Sequence, residues 1–282
     1  MNRKRITQLF PWLMPIRKKQ RMFCFYLGMN LDSNRYSSKK SDTLLPYQLF
    51  SSSCPMYNRE TGFEMVYQEN KVHNLKLAAA TLNHLLIRPH ETFSFWKLVR
   101  YADRHTPYKD GLVVTDGELK TAPGGGLCQM SNLLFWLFLH TPLTIVERHG
   151  HKTKDFPEPP SDAPFGVDAT VYEGWLDLKV RNDTDAAFQI LISFDDENIS
   201  GQILTDSDTW TSFEVYNENS VYYRKGNKVY EEVDVIQRTV VQEYKNPKTS
   251  DNKTPVSKKL LYRNCCEIGY KLPDDIEIKE EI

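Results

Sequence analysis

The chain has 282 residues, 40% of them hydrophobic and 26% charged, and its 36 basic and 37 acidic side chains leave a formal net charge of -1. This is the balance of a globular protein with a sizeable core, and without a basic excess it excludes nucleic acid as an expected partner. No run approaches the roughly 18–20 apolar residues of a membrane-spanning helix.

Charge is uneven at the two ends. Residues 1–40 carry Arg3, Lys4, Arg5, Arg17, Lys18, Lys19, Arg21, Arg35, Lys39 and Lys40 against one acid, Asp32. Thr7, Gln8, Pro11 and Pro15 interrupt the apolar stretch 6–16, and no small-residue cleavage site follows, so this lead does not read as a secretory signal. The default location is therefore the cytoplasm. With Phe10, Trp12, Phe23, Phe25 and Tyr26 among its cations, the lead is expected to lie loosely on the main domain and to suit peripheral contact with an anionic membrane face. The first 50 residues show no sustained periodicity, and Ser51, Ser52 and Ser53 predict the end of the lead. Residues 273–282 form an acidic tail.

From Asn70 the pattern sharpens. Val72, Leu75, Ala79, Leu82 and Leu86 recur at three- and four-residue steps, which predicts an amphipathic helix over 70–87 stopped by Pro89. The alternation of "ETFSFW" (91–96) predicts a half-buried strand, and Asp116-Gly117 a turn after "LVV" (112–114). Residues 128–140 are apolar nearly all round, the mark of a buried helix, and "LTIVERH" (143–149) predicts a strand. Pro157, Pro159, Pro160 and Pro164 make 155–166 an irregular loop. Beyond Asp168 the chain reads as β: "ATVY", "WLDLKV", "FQILISF", "GQILT", "TSFEVY", "VYYR" and "KVYEEVDVI", with turns at 182–185, 195–198 and 226–227 and an exposed polar loop at 246–259. The fold class is α+β, with helices early and mostly antiparallel strands late. Three segments are expected: the lead 1–50, a central domain 51–205 and a β-rich extension 206–282.

The stretch with most chemistry is "APGGGLCQMSNLLFW". Gly124, Gly125 and Gly126 permit positive φ and close approach of a ligand. A helix starting near Leu127 puts Cys128 in its first turn, where free N–H groups and the helix dipole favour a thiolate and offer an oxyanion site. Gln129 and Ser131 add donors. His149 and His151, two residues apart on an extended segment, are both placed to serve as base, and Asp155, Asp162 and Asp168 are candidates to orient a ring. Cys128 with this His-x-His pair lacks a third protein ligand, so neither a metal nor another cofactor is expected. The five cysteines, Cys24, Cys54, Cys128, Cys265 and Cys266, are odd in number and lack a C-x-x-C pair, which argues against a disulfide framework.

"GGGLCQMSNLLFW", "PLTIVERHGH", "GVDATV" and "WLDLKVRN" together resemble the VanW domain family. The likeness extends through "ENKVHNLKLAAATLNHLLIRPHETFSFWKLV" and "PYKDGLVVTDGEL", covering about residues 65–200. Some exported members are associated with L,D-transpeptidation of peptidoglycan, with the cysteine of the GGG-x-C-Q motif as nucleophile. The resemblance places that cysteine at Cys128 and the family's histidine at His151, and Gly124, Gly125, Gly126, Gln129, Ser131, Glu147, Arg148, Asp168 and Thr170 also match. It implies a glycopeptide-resistance role on peptidoglycan stem peptides or cell-wall precursors, through a cysteine acyltransferase. The alternative is a non-enzymatic accessory protein that binds a precursor or a resistance enzyme.

Overall fold

The computed structural model describes residues 10–115, 118–157, 159, 161–208, 211–242 and 253–280. Its helices are α1 (Met14–Leu31), α2 (Val66–Leu82), the short α3 (Phe95–Val99) and α4 (Leu127–Phe138). The chain is α+β. One sheet is built from β1 (Arg35–Tyr36), β4 (Glu91–Ser94), β9 (Lys179–Arg181) and β7 (Thr144–Glu147), in that order. A second runs β2 (Tyr47–Pro55), β11 (Asn198–Thr205), β10 (Phe188–Phe194) and β3 (Leu86–Ile87). The third runs β15 (Ile278–Glu280), β12 (Thr211–Lys225), β13 (Lys228–Gln242), β14 (Lys253–Ile268) and β8 (Thr153–Lys154), and β5 (Asp110–Thr115) pairs with β6 (Glu118–Pro123) as a hairpin. Pairing within β12–β13–β14 and β2–β11–β10 is antiparallel.

The apolar block 127–138 becomes α4 because every side of it has a partner. Leu134, Phe135, Leu137 and Phe138 are fully buried, and Gly201 of β11 lets the helix approach so closely that a Cβ there would meet Leu137 at 2.7 Å. Leu75, Ala78 and Leu82 of α2 belong to the same core. At roughly 1.5–3 kcal/mol for each large buried side chain, α4 is the energetic centre around which the site is built.

Several elements differ from the sequence pattern. The helix expected over 70–87 ends at Leu82. His84 takes a left-handed φ of 64°, while the Asn83 side chain accepts from the Ile192 amide at 2.8 Å. Leu86 extends the helical periodicity by coincidence, since it belongs to β3. The strand expected at 91–96 stops at Ser94, whose hydroxyl accepts from Lys97 N while the Asp177 carboxylate accepts from Trp96 N, so Phe95 opens α3. "ATVY" forms no strand, and "WLDLKV" contributes only its end to β9, because a tight turn joins Tyr172 to Leu176 through Gly174 at φ 80°. "TSFEVY" and "VYYR" are one strand, β12, bulged near Asn219 at φ 53°.

Residues 253–259 of the expected polar loop lie in β14, drawn into the ladder by β13, and the rest of it up to 252 is outside the described residues, as is the turn at 116–117. Ser51, Ser52 and Ser53 sit inside β2 and pair with β11. The lead also carries a helix, α1, which buries only Tyr26 and Met29, too narrow a face to give a strong periodic signal. Tyr26 Oη donates to Glu173 at 2.7 Å and anchors α1 to the Tyr172–Leu176 turn.

Candidate functional site

The glycine triplet is explained chiefly by the protein's own backbone. Gly124 and Gly126 have φ of 80° and 91°, a region L side chains rarely occupy. Gly125 packs so tightly on Gly111 of β5 that an added Cβ would lie 2.1 Å from the Gly111 carbonyl carbon. Asn74 of α2, fully buried, fixes this crossing: its amide donates to the Gly125 and Lys109 carbonyls at 3.0 and 2.9 Å and accepts from Lys109 N. The close approach expected for a ligand is therefore made by the chain itself, and the result is a rigid entry into α4 with Cys128 in its first turn.

The partly exposed Cys128 thiol points to the Val171 carbonyl, with Sγ to O at 3.7 Å, and lies near enough to His151 to influence its charge. His151 Nδ1 lies 2.5 Å from Asp168 Oδ2, an oxygen that also accepts from the His151 amide at 2.6 Å. Burial works against charge on this imidazole, but the Asp168 hydrogen bond, the Cys128 contact and their negative charges outweigh it, and its pKa is pushed up to about 10. Burial would likewise raise Asp168, yet the His151 hydrogen bonds and the charges of His151 and Arg148 hold it below the ordinary carboxylate value. The thiol, ring and carboxylate thus form one contact chain, Cys128–His151–Asp168.

Arg148 continues it. Its guanidinium pairs with Asp168 Oδ1, donates to the Asp168 carbonyl at 2.6 Å, the Gly166 carbonyl at 2.9 Å and Asn264 Oδ1 at 3.2 Å, and lies over the Tyr262 ring at 4.2 Å. Those contacts leave it supporting Asp168 and not facing a ligand. Ser131 Oγ donates to the Ala169 and Cys128 carbonyls at 2.5 and 3.1 Å, and Asn132 Oδ1 accepts from Ala169 N at 2.8 Å, so α4 grips the irregular segment carrying Asp168. Gln129 turns away from the thiol and donates to the Pro55 carbonyl at 2.6 Å. Thr170 N donates to the His149 carbonyl at 2.6 Å, and its hydroxyl is buried without a partner.

The two histidines diverge. Residues 148–150 are not in regular strand, and the His149 ring meets Glu147 Oε1 at 3.0 Å. Glu147 also accepts from Lys179 Nζ and Asp177 N, which binds it into the β7–β9 edge. Of the other acids, Asp162 accepts from Ser52 Oγ and Trp136 Nε1, and Asp155 lies near enough to feel the His151 charge, though burial raises its pKa. Sequence patterns did not single out Asn74, Asn132, Tyr262 or Asn264. The one available signal was Ser131-Asn132, a polar pair interrupting an apolar helix.

A family model described as "VanW like protein" matches residues 70–204. The chain is similar to the vancomycin B-type resistance protein VanW of Enterococcus faecalis, with 53% identity over 280 residues and 99% of each chain covered. It is also similar to the uncharacterized protein YoaR of Bacillus subtilis, with 36% identity over 114 residues, 40% of this chain and 36% of YoaR. No solved structure matches.

Proposed function

The chain belongs to the VanW family, and on that premise we propose that it serves glycopeptide resistance as a cysteine-dependent acyl transferase on peptidoglycan stem peptides or their precursors. One observation carries this reading: the Cys128–His151–Asp168 contact chain at the start of a buried helix. A resistance role is supported by the 53% identity, over 99% of each chain, to the vancomycin B-type resistance protein of Enterococcus faecalis.

The chemistry balances without a cofactor. A histidinium held by Asp168 supplies the protons of the reaction. Sγ attacks the donor carbonyl carbon, and the developing oxyanion is stabilised by backbone N–H groups at the start of α4, of which Gln129 N is already given to the Gly126 carbonyl. His151 gives its proton to the departing amine as the C–N bond breaks, leaving a thioester. The neutral ring then takes a proton from an incoming amine, which forms the new amide bond and expels the thiolate. Asp168 holds the ring through Nδ1, which leaves Nε2 as the nitrogen for proton transfer, and Arg148 keeps Asp168 in place. A donor processed in this way need not end in D-Ala-D-Ala, the group glycopeptides sequester.

The test is complementation of a deletion strain at matched protein level, together with intact-mass detection of an acyl adduct on Cys128 after incubation with a stem tetrapeptide. Cys128→Ala is expected to lose both. Full rescue by Cys128→Ala contradicts the acyl-transfer reading and favours an accessory protein that binds its precursor without chemistry.

A further inference from the structure

We infer that the outward face of α1 is a docking surface for an anionic lipid bilayer. A helix that packs on a domain normally shows polar residues to the outside. Helix α1 does not. Its inner face holds Tyr26 and Met29, while Ile16, Phe23 and Leu27, spaced to share one side of the helix, face away, with Trp12 in the turn before. Phe23 is 66% exposed and Trp12 68%. Large apolar groups gathered on one side of a helix mark an interaction face, whereas ones scattered over all sides would not.

The charge pattern selects the occupant. Arg17, Lys18, Lys19 and Arg21 are all exposed on this helix, and no acid occurs between Trp12 and Leu31. Arg17 and Arg21 flank the stripe on one side and Lys19 on the other. A protein partner would usually answer such a helix with specific carboxylates, whereas a bilayer bearing anionic headgroups answers both features together, burying the apolar stripe and pairing loosely with every cation. Trp175, 60% exposed, lies beside Arg21 on the main body and adds an amphipathic ring of the kind favoured at membrane–water interfaces. Helix α1 is tied to that body: Tyr26 bonds Glu173, Lys97 Nζ donates to Asn30 at 2.6 Å, and a Cβ on Gly174 would meet Met22 at 3.0 Å. Docking would therefore orient the whole domain. No helix among the described residues is long and apolar enough to cross a membrane, so the contact is interfacial.

The experiment is co-sedimentation of the full chain with vesicles of phosphatidylglycerol and phosphatidylcholine, and with phosphatidylcholine alone, with sedimentation velocity alongside. Binding is expected to the mixed vesicles and to fall about tenfold or more in high salt, which screens the cations. Phe23→Glu is expected to weaken it by roughly tenfold or more, the worth of one buried aromatic, and so is joint Arg17→Gln, Lys18→Gln and Lys19→Gln. Both variants alter exposed side chains, and unchanged thermal melting verifies their folding. Equal binding to phosphatidylcholine, no binding by the wild type, or unimpaired Phe23→Glu overturns the inference. A wild-type dimer that Phe23→Glu dissolves, without vesicle binding, assigns the face to a second copy and also overturns it. None of these outcomes bears on Cys128.

Discussion

Asp168→Asn isolates the interaction that holds a proton on His151. In the native protein the ring titrates at about 10 against an ordinary 6.5, an interval worth about 5 kcal/mol in favour of the protonated form. The first opposing influence is burial, which the substitution leaves in place, and the largest supporting one is the Asp168 hydrogen bond, which loses its charge. An asparagine oxygen still accepts from Nδ1, so the ring keeps its position while its proton is released. His151 in Asp168→Asn is therefore expected to titrate back toward 6.5, leaving it largely neutral at pH 8, where the wild type is protonated.

The assay is an NMR pH titration of the His151 ring, assigned by comparison with His151→Gln. Stability follows the same linkage. His151 has a raised folded value, so its contribution is full below 6.5 and is lost as pH climbs through about 10. Asp168 has a depressed folded value, so its contribution is present above 3.8 and is lost as pH falls through the folded value. The melting temperature of the wild type is expected to decline between pH 6.5 and 10 more steeply than that of Asp168→Asn. A wild-type His151 that titrates near 6.5 refutes the reasoning.

Gly125→Ala, whose Cβ has no room beside the Gly111 backbone, is expected to cost more than about 3 kcal/mol in urea unfolding. Asn74→Ala strips a partner from the buried Gly125 carbonyl, at about 1–3 kcal/mol for a buried group left unsatisfied, and urea midpoints read the loss; the Lys109 carbonyl keeps its bond from Gly124 N. Arg148→Lys cannot reach Asp168, Gly166 and Asn264 together. It is expected to lower the His151 titration and the melting temperature, whereas His149→Ala, which acts only at Glu147, leaves the His151 titration unchanged.

The buried helix and the late β-strands were legible because each rests on local pattern: an all-round apolar run and alternation. Local pattern left the choice between His149 and His151 open, and the family resemblance alone pointed to His151. Their different surroundings depend on the chain leaving β7 and on Glu147 meeting the His149 ring while bound to Lys179 of β9. Arg148 matched the family pattern, but its partners were not legible: it is held by Asp168 and by Asn264 from β14, a strand more than a hundred residues away. The asparagines that align the site are silent in sequence for the same reason. Each satisfies backbone groups distant along the chain, and a buried polar side chain acquires meaning only through those partners. Helix α1 escaped detection because its apolar residues are divided between an inner face and an outer one.

The central claim is that the His151–Asp168 pair makes Cys128 a reactive thiol, and the alkylation rate of Cys128 tests it most directly. Iodoacetamide labelling at pH 7, followed residue by residue by peptide mass spectrometry, uses exposed Cys24 as the internal standard. Cys128, although less exposed, is expected to react at least about tenfold faster than Cys24 and to lose that advantage in His151→Ala. A Cys128 that reacts no faster than Cys24, or whose rate is indifferent to His151, contradicts the account.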